Sequence, residues 1–98
     1  MRLNLKQLAK TDVLMSKEIA EKVINEIKIL DLEKYEISFS GVRLVSLNFL
    51  NPFIEYLDSA LRDDANVKII NSTKLQNDLI IEAYKNCMAN RRKVNEKL

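Results

Sequence analysis

Two hydrophobic periodicities alternate along this chain, and their order limits its fold more than any other feature. Three short segments alternate apolar and polar residues, as half-buried strands do. They are MRLNLKQL (1–8), KYEISFSG (34–41) and ANVKIIN (65–71). After each of them, apolar residues recur every three or four positions, as on the buried side of an amphipathic helix. The order β-α-β-α-β-α predicts an α/β domain with parallel strands and right-handed crossovers.

The alternation within each strand predicts which sheet face is covered. A sheet covered on both faces has continuous apolar strands, whereas these strands carry a polar residue at every second position. We therefore expect a small three-stranded sheet in the order 1-2-3, with its helices packed on one face, in a single domain over residues 1–98. The polar residues expected on the open face are Arg2, Asn4, Lys6, Glu36, Ser38 and Lys68. That face is either solvated or covered by a partner, and a homodimer through it is one form of the second alternative.

Capping residues predict where the first and last helices begin. Ser16 stands directly before the first helical stretch and is a natural N-cap. Thr73 and Gln76 have the spacing of a capping box before the last helix. The residues of that last helix expected to point inward are Leu75, Leu79, Ile80, Ala83 and Cys87.

The composition argues against most kinds of active site. The chain has no histidine, which removes the usual general base near neutral pH and the commonest metal ligand. A single cysteine, Cys87, excludes an internal disulfide and a multi-cysteine zinc site. A single glycine, Gly41, excludes the glycine-rich loops that hold nucleotide phosphates. We therefore expect a protein that is not an enzyme and that uses no cofactor or metal.

The sequence also carries an expectation about location. No stretch approaches the ~20 apolar residues that cross a bilayer. The N-terminal sequence MRLNLKQLAK lacks the apolar core of a signal peptide. We therefore expect a cytoplasmic protein without membrane contacts.

Basic residues are concentrated at the C-terminus, in a predicted helix end at about 89–98. Residues 85–98 hold five basic side chains against one acidic side chain, whereas the rest of the chain is mildly acidic. Arg91, Arg92 and Lys93 are candidate contacts to nucleic-acid phosphates. The alternative is a solvated helix end, since cations suit a helix C-terminus and the segment has no aromatic residue to stack on bases.

A second polar group follows the third strand. Asn71, Ser72 and Thr73 lie where the carboxyl ends of parallel strands meet, and ligands bind at this edge in open α/β sheets. The loop 41–51 is expected at the same edge. The three residues are either a candidate edge for a small polar ligand or the cap of the last helix.

One long motif resembles a known family. The segment FSGVRLVSLNFLNPFIEYL (39–57) is similar to the strand-loop-helix of STAS domains, and more closely to a STAS-like family of unknown function found in bacteria and their mobile elements. In that family a strand ending near D-F-x-G-V leads to S-F-[LA]-[DN]-E at a helix start. The matching stretches here are FSGV (39–42) and NFLNP (48–52), and the resemblance covers about residues 15–85.

The resemblance implies a regulatory role. STAS-type proteins are non-enzymatic modules that bind a partner, often a protein kinase with a histidine-kinase-like ATPase fold. In anti-sigma-factor antagonists a serine at the start of this helix is phosphorylated, and its charge breaks the complex. Here Asn48 replaces that serine, Pro52 replaces the glutamate, and Ser38 replaces the strand-end acid. A phospho-switch at position 48 is therefore not expected, and Ser46 remains the candidate phosphorylation site.

The start of the middle helix is left open by the sequence. Proline favours the first helical position, which points to Asn51 as the cap before Pro52. The STAS-like register favours a start near Asn48, where Pro52 would remove one early backbone hydrogen bond.

In either register the loop holds more polar groups than a cap needs. They serve the structure alone, or they form a partner-binding surface with Arg43, Ser46, Asn48 and Asn51. We expect a regulatory protein–protein interaction module, with a small nucleic-acid-binding protein as the alternative.

Overall fold

The computed structural model describes residues 1–30, 34–62 and 66–96, except for the side chains of 59–62, 66 and 90–96. Five strands and four helices follow one another in this part of the chain. They are β1 (Arg2–Asn4), α1 (Leu5–Ala9), β2 (Val13–Leu14), α2 (Lys17–Leu30), β3 (Lys34–Ser38), β4 (Leu44–Val45), α3 (Leu47–Arg62), β5 (Asn66–Ile70) and α4 (Lys74–Glu96).

The main sheet has the predicted topology. Strands β1, β3 and β5 are parallel and lie in that order, so the prediction of three parallel strands in chain order is confirmed. Leu3, Ile37 and Ile69 are register partners, and all three belong to the hydrophobic core or pack against it. The register partners one position earlier are Arg2, Glu36 and Lys68, which point to the other face and are exposed or half-buried. The sheet therefore has one apolar face and one charged face.

Residues of the three long helices form one hydrophobic core with the apolar face of the sheet. Helix α3 packs against both α2 and α4, so it is the middle helix of the layer. Its side chains Phe49 and Phe53 are fully buried, with ring centroids 5.2 Å apart. Ser16 caps α2 as predicted, because its hydroxyl accepts a hydrogen bond from the Ile19 amide at 3.2 Å.

The first strand is shorter than its alternating pattern predicts. It ends at Asn4, whose side-chain oxygen accepts a hydrogen bond from the Gln7 amide at 3.0 Å and so starts α1. Leu5 and Ala9 lie one helical turn apart and are both buried. Lys6 therefore lies in a helix, and its assignment to the open sheet face is wrong.

Ser38 was also expected on the open face, and that prediction is wrong. It is 2% exposed because the loops after β3 and β5 cover it. Its hydroxyl oxygen accepts hydrogen bonds from the Asn71 side chain at 3.0 Å and from the Ser40 amide at 3.2 Å. These bonds satisfy a polar group that burial would otherwise penalise.

A second, very small sheet was not predicted. Strands β2 and β4 pair in parallel over two residues each. The Asp12 carbonyl accepts hydrogen bonds from the amides of Arg43 and Leu44 at 2.8 and 3.2 Å, and the Leu14 carbonyl accepts one from Ser46 at 3.0 Å. The segment before α3 is therefore fixed against the segment before α2.

Helix α4 begins with the predicted capping box. The Thr73 hydroxyl accepts from the Gln76 amide at 3.1 Å, and the Gln76 side chain accepts from the Thr73 amide at 2.9 Å. The prediction that Leu75 points inward is wrong, since that side chain is 72% exposed. At the start of α4 the buried residue is Gln76, one position after Leu75. Further along the helix Ile80, Ala83 and Cys87 are buried, as the sequence predicts.

Candidate functional site

The start of α3 is the centre of the predicted partner surface. The helix begins at Leu47, and the Ser46 carbonyl accepts the hydrogen bond of the Leu50 amide at 2.9 Å. Both asparagines therefore lie inside the helix. Of the two starts that the sequence leaves open, the one capped by Asn51 is excluded, and the start near Asn48 agrees with the observed start at Leu47. Pro52 lies in the second helical turn, where it has no N–H to donate to the Asn48 carbonyl.

Ser46 joins the two segments of the small sheet. Its hydroxyl donates a hydrogen bond to the Met15 carbonyl at 3.0 Å. The side chain is half-buried, so the candidate phosphorylation hydroxyl is already engaged in a structural contact.

The two asparagines of the motif have different surroundings. Asn48 is exposed, and within the described residues its side chain makes no hydrogen bond or ion pair. Asn51 is half-buried, and its side-chain oxygen accepts a hydrogen bond from Asn86 of α4 at 3.2 Å. Both line an open cleft of about 410 Å³ between the starts of α2 and α3. Asn48 is thus available to a partner, whereas Asn51 connects two helices.

Arg43 lies at the border of this region. Its side chain is exposed, and its Nε atom is 3.5 Å from a carboxylate oxygen of Asp12. Exposed ion pairs of this kind contribute little to stability, so the pair is a surface feature that a partner can contact.

Two exposed apolar side chains, which the sequence reasoning missed, lie beside these polar groups. Leu44 is 51% exposed and Met15 is 44% exposed. The pairing of Val13 with Leu44 places positions 13, 15, 44 and 46 on the same, outer side of the small sheet. We call Met15, Leu44 and Asn48, with Arg43 at their border, the β2–β4 surface. The sequence held no local signal for this exposure, because it follows from the long-range pairing of β2 with β4.

The candidate ligand edge after β5 is used by the fold itself. Asn71 has a left-handed backbone, with φ at 59°, and its side chain binds Ser38. The Ser72 hydroxyl donates a hydrogen bond to the Asn77 side chain, and Thr73 caps α4. The Gln76 side chain donates to the Val42 carbonyl at 3.2 Å, so the edge and the loop after β3 do meet.

The basic end of the chain is described only in its backbone. Helix α4 continues to Glu96, which places Arg91, Arg92 and Lys93 in its last turns. Their side chains lie outside the described residues, so the nucleic-acid hypothesis stays a prediction. Asp63 and Asp64, for which the sequence predicts a turn, also lie outside the described residues.

Burial raises the pKa of all three tyrosines of the chain, and none of them lies on the β2–β4 surface. The pKa of Tyr35 is raised by burial and further by the nearby Tyr56. The pKa of Tyr56 is raised by burial alone. The pKa of Tyr84 is raised by burial and then by the neighbouring Cys87. These shifts reflect the burial of the three tyrosine side chains in the core or at its border.

Among the described residues, no group of three or more His, Cys, Asp or Glu side chains could hold a metal ion. No helix within the described ranges has both the length and the hydropathy needed to cross a membrane.

Comparison with known proteins gave no match. No protein-family model matches the chain, and neither a curated protein nor a solved structure is significantly similar to it.

Proposed function

We propose that this protein is a non-catalytic STAS-like module that regulates a partner protein by binding it through the β2–β4 surface. The observation that carries the proposal is the exposure of Met15 and Leu44 on the outer side of the small sheet, together with the exposed Asn48, which lines the same cleft as Met15. Protein interfaces combine an apolar centre with a polar border, and this surface has both on a small scale.

Asn48 offers a partner an unusual set of hydrogen-bonding groups. Its side chain has a carbonyl oxygen and an NH₂ group. Its backbone carbonyl lacks the usual helical donor, because that donor would be the nitrogen of Pro52. The positive end of the helix dipole at the same place favours polar or anionic groups of a partner.

The surface is also held in position before binding. The hydrogen bonds of the small sheet fix its two segments, and the Ser46–Met15 contact fixes the start of α3. Ordering a loop on binding costs free energy, so a surface that is already ordered binds more tightly for the same contacts.

The resemblance to STAS-type regulators suggests the class of partner. A kinase-like ATPase with a histidine-kinase-like fold is the partner we propose for this chain. Because asparagine cannot be phosphorylated, recognition at position 48 depends on uncharged contacts, and release does not depend on a phosphate there.

The test introduces a charge into this surface. The wild-type chain and the variants Asn48→Asp and Leu44→Asp serve as bait, and an ATPase captured by the wild type is then titrated against each by calorimetry. We expect each variant to bind at least tenfold more weakly, which is about 1.4 kcal/mol. The fold should tolerate Asn48→Asp, because a carboxylate near a helix N-terminus is stabilising by roughly 0.3–1 kcal/mol.

A matched control separates the surface from the added charge. Asn25→Asp makes the same change at an exposed position of α2 and should bind as the wild type does. Thermal melts establish that all variants are folded. Full binding by folded Asn48→Asp and Leu44→Asp would reject this surface. Salt-sensitive DNA or RNA binding, lost when Arg91, Arg92 and Lys93 are changed to Ala, would favour the nucleic-acid alternative instead.

A further inference from the structure

A separate open cleft lies at the carboxyl ends of β1 and β3, and its charged side chains are all cations. It has a volume of about 490 Å³ and lies between α1 and the turn that follows β3. Lys6 and Lys10 line it, and among the described residues no carboxylate does. The cleft shares no residue with the β2–β4 surface.

The absence of a side chain at Gly41 leaves room for Lys6. The Val42 amide donates to the Phe39 carbonyl at 3.0 Å, and Gly41 is the third residue of this turn, with φ at 83°. A Cβ atom at Gly41 would lie 3.0 Å from Cδ of Lys6 and 3.7 Å from its Nζ. The only glycine of the chain therefore permits both the turn and the close approach of the lysine.

Asn4 connects the two walls of the cleft. Its side-chain oxygen accepts from the Gln7 amide at 3.0 Å, and its side-chain nitrogen donates to the Ser40 carbonyl at 3.1 Å. One side chain thus holds α1 against the turn after β3. The cleft is formed before any ligand enters, which lowers the cost of binding.

Neutral donors complete the lining. The Thr11 hydroxyl oxygen accepts from the Val13 amide at 3.2 Å, which leaves its O–H free to donate. The Ser40 hydroxyl is exposed, and within the described residues the Gly41 amide makes no hydrogen bond. These groups can donate to an acceptor-rich ligand between the two lysines.

No ion pair joins Lys6 or Lys10 to a carboxylate in the described part of the chain. The acidic residue that follows Thr11 is Asp12, and it is paired with Arg43 instead.

We propose that this cleft binds the phosphate group of a small phosphate monoester. Such a group carries about −1.5 to −2 charges at pH 7 and three acceptor oxygens, which matches two ammonium groups and the neutral donors around them. The volume lies within the roughly 300–1,000 Å³ typical of small-molecule sites. The position agrees with the rule that ligands of open α/β sheets bind at the carboxyl ends of the strands. This activity goes beyond the proposed protein interaction and does not depend on it.

The experiment uses phenyl phosphate as the probe and NMR as the detector. Because Gly41 is the only glycine, its amide signal is readily identified and reports directly on the cleft. Titration of the full chain at low ionic strength should move this signal saturably. The variant Lys6→Gln/Lys10→Gln should bind at least tenfold more weakly, whereas the charge-matched control Lys22→Gln/Lys34→Gln, at exposed positions elsewhere, should bind as the wild type does.

Several results would overturn the proposal. One is that the Gly41 amide signal shows no saturable shift up to about 10 mM phenyl phosphate, a concentration that would fill a site with a millimolar dissociation constant. Another is an equal loss of affinity in the control variant, which would indicate net charge rather than a site. Equal binding of acetate would show that the cleft does not select phosphate. Tighter binding of a single-stranded oligonucleotide through the same lysines would assign them to a nucleic-acid surface.

Discussion

Gln76 connects the start of α4 to the turn after β3, and replacing it should destabilise the protein strongly. The side chain is 6% exposed, accepts from the Thr73 amide at 2.9 Å and donates to the buried Val42 carbonyl at 3.2 Å. Gln76→Ala removes both bonds. Loss of a helix cap costs about 1 kcal/mol, and a buried acceptor left without a donor costs about 1–3 kcal/mol.

We therefore expect Gln76→Ala to lower the free energy of unfolding by roughly 2–4 kcal/mol. In a domain of this size that lowers the melting temperature by roughly 8–30 °C. Glu82→Ala, at an exposed position of the same helix, should stay within about 0.5 kcal/mol of the wild type.

The isosteric variant Gln76→Glu separates the two hydrogen bonds. It keeps an acceptor for the Thr73 amide but places a carboxylate against the Val42 carbonyl. Because the charged form is disfavoured there, protonation should restore part of the lost stability as the pH falls toward about 4. A melting temperature of Gln76→Ala that matches the wild type would refute the reasoning about this connection.

Three further results are expected from the packing. Gly41→Ala should lose about 1–2 kcal/mol of stability, because an L-residue is strained at its positive φ and the new Cβ would approach Lys6; urea titration measures the loss. Phe53→Ala should cost about 3–5 kcal/mol, because the ring is fully buried against Phe49. The tyrosines should ionise at higher pH in the folded protein than in the unfolded chain, and phenolate absorbance measures this. The free energy of unfolding should therefore fall as the pH rises through about 10, which denaturation at each pH measures.

Features set by neighbouring residues were predicted well from the sequence. The Ser16 cap and the capping box of Thr73 and Gln76 depend on groups three positions apart, and the structure contains both. The three parallel strands were predicted because crossover helices leave few other arrangements for this order of elements.

Features set by distant residues were not predicted. The pairing of β2 with β4 joins segments about thirty positions apart, and two-residue strands have no detectable period of their own. The strand pattern of residues 1–8 was misleading in the same way. Leu5 satisfies a strand or a helix equally well, and the Asn4 cap determines that the helix forms.

The sequence analysis named part of the candidate surface. Of the residues that it proposed for partner binding, Arg43 and Asn48 are exposed. The apolar part of the surface was missed, because the exposure of Met15 and Leu44 follows from the β2–β4 pairing. Asn51 was counted among the binding residues, but its contact with Asn86 gives it a structural role.

The surplus of polar residues in SLNFLNP can now be divided among its members. The Ser46 carbonyl begins α3 and its hydroxyl holds Met15, while Asn51 joins α3 to α4. The Asn48 side chain makes no hydrogen bond of this kind within the described residues. Ser46→Ala and Asn51→Ala should therefore each cost about 1 kcal/mol, whereas Asn48→Ala should change stability by less than about 0.5 kcal/mol. A destabilisation by Asn48→Ala as large as the other two would mean that the fold requires this residue, and would remove the main reason for assigning it to a partner.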